Sequence, residues 1–62
     1  MMRRDLVGHL MKSGCRLQSE SAGHSWWNGP VAADRSTVPR HADIADALAK
    51  KICHDLGIAP PP

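Results

Sequence analysis

Tyrosine and phenylalanine are absent from this 62-residue chain, whose only aromatic side chains are Trp26 and Trp27. Two indoles therefore carry whatever aromatic packing or stacking the protein has. Cys15 and Cys53 stand far apart with no Cys-x-x-Cys pair, which suggests neither a zinc frame nor a disulfide framework and fits a reducing cytoplasm. No uninterrupted apolar run reaches seven residues, and Met1-Met2-Arg3-Arg4 is followed at once by Asp5. Neither a secretory leader nor a membrane span is expected. Also missing are a Walker loop, paired catalytic carboxylates and a Ser-His-Asp arrangement. The six acidic residues suit helix caps and surface charge better than magnesium coordination, so no metal and no cofactor is expected.

Length sets the next bound. A chain of 62 residues makes one domain, with a core that supplies roughly 3–5 kcal/mol of net stability and leaves no room for an enclosed substrate cavity. The apolar fraction of 42% includes eight alanines, so the large core side chains are few. The net charge of +2 and isoelectric point near 8.8 are compatible with a polyanionic partner without requiring one.

What is present falls into five elements. Leu6, Val7, Leu10 and Met11 recur at helical spacing over residues 3–13, and Gly14 supplies the left-handed stop. Asp5 and Lys12 complement the helix dipole, while Arg3 and Arg4 sit at its unfavourable end and favour an external anion. Cys15, Leu17 and Ser19 alternate with Arg16, Gln18 and Glu20, which predicts a strand with one face on a core. After the turn Ser21-Ala22-Gly23, a second strand over His24–Asn28 sends His24, Trp26 and Asn28 to one face and Ser25 and Trp27 to the other. A loop from Gly29-Pro30 to about Asp34 leads to a short strand over Arg35–Val38, ended by Pro39. Asp43 is placed to cap a second helix over residues 43–56, with Ile44, Leu48, Ile52 and Leu56 on one stripe. Gly57 closes it, and Ile58 is expected to fold back as a seal. Residues 1–58 form the domain and 59–62 a flexible Pro-rich tail.

The expected class is α+β in the order α-β-β-β-α, with both helices packed on one face of a three-stranded antiparallel sheet. Leu6, Leu10, Leu17, Trp27, Leu48 and Ile52 are the expected core, and Trp26 should be more exposed than Trp27. An open opposite face is the architecture of a double-stranded-RNA-binding domain.

Several segments in this order carry a family likeness: the helix ending Lys12-Ser13-Gly14-Cys15, the Gly23-His24 turn with an aromatic at Trp27, Thr37-Val38-Pro39-Arg40-His41, and the closing Ile52-Cys53-His54-Asp55-Leu56-Gly57-Ile58. In these the chain resembles the HicA family of toxin mRNA interferases, from Arg4 to Ile58. It departs from the usual family pattern at Gly23, where many members have serine, and at Trp26, where the family is often polar. The resemblance implies the toxin of a type II toxin–antitoxin pair, an endoribonuclease that cleaves mRNA and is silenced by a HicB-type antitoxin protein, with His24 at the position of the family's catalytic histidine.

Imidazole chemistry agrees with that implication. RNA can be cut without metal when the ribose 2′-hydroxyl attacks its own phosphodiester, which leaves proton transfer and charge stabilisation to the protein. A histidine titrating near neutral pH suits that work as general base or acid. Trp26 is placed to stack on a base, and Arg40 to hold phosphate with a forked pair of hydrogen bonds. His41 is a candidate second proton-transfer group, and Arg16, Lys50 and Lys51 supply attraction to the backbone. Other readings of the same residues are a non-catalytic RNA-binding module and a protein-interaction domain that docks a partner through Trp26.

Overall fold

The computed structural model describes residues 1–62. It runs α1 (Arg3–Lys12), β1 (Arg16–Glu20), β2 (His24–Asn28), β3 (Arg35–Pro39) and α2 (Asp46–Asp55). The strands form one antiparallel sheet in the order β1-β2-β3, which is the expected α-β-β-β-α layout. Both helices end on the same device. The Gly14 N–H donates to the Met11 carbonyl and the Cys15 N–H to that of Leu10, and Gly57 and Ile58 repeat the pattern on His54 and Cys53. These are Schellman caps, in which a glycine at positive φ lets the chain turn back on the last helical carbonyls, and Gly14 and Gly57 hold φ of 88° and 72°.

One layer of side chains between helices and sheet makes the core. It joins Leu6 and Leu10 of α1, Ala49, Ile52 and Cys53 of α2, Ile44 and Leu56 at the ends of α2, and Cys15, Trp27 and Val38 from the sheet side. Ser25 and Ser36 are buried on the same side of the sheet. The indole N–H of Trp27 is buried there without an acceptor, and no neighbouring group explains it. Burial raises the pKa of the Cys53 thiol, and that of Cys15 for the same reason with a smaller contribution from Cys53. The loop after β2 is fastened against α2, because a Cβ on Gly29 would overlap the Leu56 carbonyl.

Four expectations are corrected. Leu17 and Leu48 are 47% and 37% exposed rather than core: Leu17 lies on an edge strand and lines an open groove with Val7 and Met11 of α1, and Ile44, Ala49, Ile52 and Cys53 fill the α2 side without Leu48. The second helix begins at Asp46, and Asp43 does not cap it. Residues 42–44 are drawn into extended pairing with the N-terminal segment, where the Arg3 N–H donates to Ala42 and the Ile44 N–H to Met1, and Asp43 bridges Met2. The third strand runs on to Pro39, since β3 is an edge and Pro39's missing donor would point away from β2.

The last correction concerns β1. Arg16 and Leu17 pair with Asn28 and Trp27, but Ser19 pairs with Trp26 and Glu20 with Ser25, so Gln18 is an extra residue in a β-bulge. A one-residue insertion exchanges the faces of everything beyond it. Simple alternation put Ser19 with Leu17; the bulge moves Ser19 to the open face and turns Glu20 towards the helices.

Candidate functional site

The open face is built on β2. His24, Trp26 and Asn28 alternate along it, and across β3 they meet Pro39, Thr37 and Arg35. Ser19 and Arg16 flank Trp26 and Asn28 from β1. Trp26 is 41% exposed and Trp27 5%, so adjacent indoles face solvent and core as the strand period requires. His24 and Trp26, two residues apart on one face, emerge about 6–7 Å from each other. The His24 imidazole has no hydrogen-bond partner, and Gly23 before it has open space where a Cβ would stand.

Arg35 was not legible as a site residue from the sequence. Its guanidinium carbon lies 5.1 Å from the centroid of the Trp26 ring, within cation–π range. The signal that could have found it is the shared parity of Arg35, Thr37 and Pro39; what the sequence withholds is the register across the 29–34 loop.

A contrasting polar cluster sits under the opposite face, at the turn between β1 and β2. Arg3 donates from Nη2 to Ser25 Oγ at 2.8 Å and from Nε to the Pro39 carbonyl at 2.9 Å. Ser25 in turn donates to Glu20 Oε2 at 3.0 Å. Arg40 completes the chain, 3.4 Å from the same Glu20 oxygen and donating to the Ser21 carbonyl at 3.3 Å. The fully buried Ser25 hydroxyl thus joins a cation to a carboxylate directly beneath the strand that carries His24.

This arrangement divides the residues expected to bind RNA. His24, Trp26 and Arg16 share the open face. Arg40 stands at its end with the guanidinium committed to Glu20 and Ser21, and Arg3 is committed inward rather than to an external anion. His41 is exposed just past β3 without a partner. Lys50 and Lys51 belong to α2 in the helical layer, where Lys51 donates to Asp55 at 2.7 Å, so they do not adjoin His24. His54 is on the same helix, while His9 contacts the Ala59 carbonyl at 2.9 Å.

The electrostatic consequence is an open face without a carboxylate. Glu20 points to Ser25, Asp34 lies against Gly57, Asp43 and Asp46 meet the Met1 amine, and Asp5 and Asp55 are on the helices. Arg16 and Arg35 leave the face positive. No group of three histidine, cysteine, aspartate or glutamate side chains converges as a metal site would, and no helix is long and apolar enough to cross a membrane. Comparison of the chain with models of protein families, with curated proteins and with solved structures finds no match.

Proposed function

We propose that this protein is an endoribonuclease toxin of the HicA kind, working on mRNA through the open face of its sheet and restrained by a HicB-type antitoxin that covers that face. The observation that carries the proposal is the placement of His24 and Trp26 side by side on an exposed, carboxylate-free surface with Arg35 against the indole. A phosphodiester is drawn to such a surface by Arg16 and Arg35. Its base stacks at Trp26, and the imidazole of His24 either takes the proton of the ribose 2′-hydroxyl as that oxygen bonds to phosphorus or gives a proton to the 5′-oxygen as its bond to phosphorus breaks. The upstream product is then a 2′,3′-cyclic phosphate, and the ribose itself supplies the nucleophile.

His24 lacks a group to orient it, and this favours a second reading, an RNA-binding module that does not cut. One comparison separates the two. Wild-type protein is expected to cleave single-stranded RNA but not DNA or 2′-O-methylated RNA of the same sequence, and His24→Ala, verified as folded by circular dichroism, is expected to lose at least about a hundredfold in rate. Binding without cleavage by the wild type selects the second reading, and a folded His24→Ala protein that cuts at the wild-type rate removes His24 from the mechanism.

A further inference from the structure

Beside Trp26 the open face is not flat. A concavity of about 180 Å³ is lined by Gln18, Ser19, Trp26, Trp27, Asn28 and Arg35. An engineered protein cavity of about 150 Å³ holds benzene, so this space takes a single nucleobase and leaves sugar and phosphate outside. We propose that it is a base subsite selective for guanine in single-stranded RNA, an inference that rests on the open face being an RNA surface.

Three features of the lining lead to that choice. Asn28 donates from Nδ2 to the Ala32 carbonyl at 2.8 Å, which fixes the amide and leaves Oδ1 as an acceptor. Arg35 lies against the indole at 5.1 Å with no carboxylate or carbonyl partner, so its forked donors are free. Gln18 is the extra residue of the β1 bulge, and its exposed amide makes no internal hydrogen bond. The bulge adds Ser19 to Gln18 on this face while it carries Glu20 to the other.

Guanine matches the set. Its O6 and N7 accept the forked donors of an arginine, the commonest base-specific contact, and its N1–H and amino group donate towards Asn28 Oδ1 and the Gln18 amide. Adenine offers an amino donor where guanine has O6 and would set it against the guanidinium. Uracil and cytosine lack the N7 acceptor. Stacking holds any base, whereas this edge pattern discriminates among them.

The test uses short 2′-O-methylated oligouridylates carrying one G, A, C or U at a central position, with affinity measured by fluorescence anisotropy for wild type, Arg35→Lys and Gln18→Ala. The wild type should bind the G-containing oligomer about tenfold more tightly than the others. Arg35→Lys keeps the charge but loses the fork, so the G-to-A ratio should fall to within about twofold; Gln18→Ala should reduce it by a smaller factor. Equal wild-type binding to all four oligomers overturns the base preference while RNA binding stands. A preference that survives in Arg35→Lys overturns its assignment to this concavity. Failure of the wild type to bind any of the four overturns the RNA surface itself and the subsite with it.

Discussion

The two faces of β2 use similar residue types in opposite ways. Beneath the sheet, Arg3, Ser25, Glu20 and Arg40 form a closed chain in which each charge meets a partner, and Trp27 is packed into the core. Above it, His24, Arg16 and Arg35 have no acidic partner and Trp26 meets water. Unpaired cations on one face are not explained by a shortage of carboxylates, since the chain has six; the bulge at Gln18 in turn keeps Glu20 from standing beside His24 on that face. The paired face stabilises the protein, and the unpaired face is left available to a ligand.

The largest difference between the faces should appear in the tryptophans. Trp27→Ala removes a buried indole at a cost of about 3–5 kcal/mol. That is comparable with the whole stability of a domain this small, so the variant should be largely unfolded at 25 °C by circular dichroism. Trp26→Ala should lower stability by less than about 1 kcal/mol yet weaken single-stranded RNA binding by about 1–3 kcal/mol. Equal thermal shifts for the two variants would erase the distinction between the faces.

Ser25→Ala addresses the paired face. It leaves Arg3 and Glu20 without their shared hydroxyl, and hydrogen bonds to charged groups make the expected loss about 1–3 kcal/mol in urea denaturation. A variant as stable as wild type would mean that the chain of charges is dispensable.

The smallest effect concerns Asp55. The Lys51 ammonium hydrogen-bonded to its carboxylate holds its pKa below the ordinary 3.8, against a lesser opposing effect of burial. A depressed folded pKa contributes stability that is present above about pH 4 and lost as pH falls through the folded value. Asp55→Asn should therefore flatten stability between about pH 4 and 2 and leave RNA binding unchanged, because Asp55 lies in the helical layer.

Much of the fold was legible because it depends on local signals. The 3.6-residue spacing of Leu6, Leu10 and Ile52 and the glycine stops at Gly14 and Gly57 are written in the sequence, as is the alternation that separates Trp26 from Trp27. The register of β1 was not, since a bulge leaves no compositional mark at Gln18 and the exchange of Ser19 for Glu20 on the open face follows from it. The start of α2 was hidden for a related reason: pairing between residues 42–44 and the N-terminal segment outweighs the local preference for Asp43 as a cap. In the site, His24 and Trp26 were visible through strand parity. Arg35 was not, and neither was the inward commitment of Arg3 and Arg40, because both depend on contacts between distant segments.

Assignment of the open face as the RNA surface is tested most directly by one titration of ¹⁵N-labelled protein with a single-stranded, 2′-O-methylated oligoribonucleotide, followed by NMR. The two indole N–H signals report the two sides of the same strand in one spectrum. The Trp26 indole and the amides of Ser19, His24 and Thr37 should shift together, while the Trp27 indole and the α2 amides around Lys50 and Lys51 stay in place. Shifts centred on α2, or a moving Trp27 beside an unmoved Trp26, would contradict it.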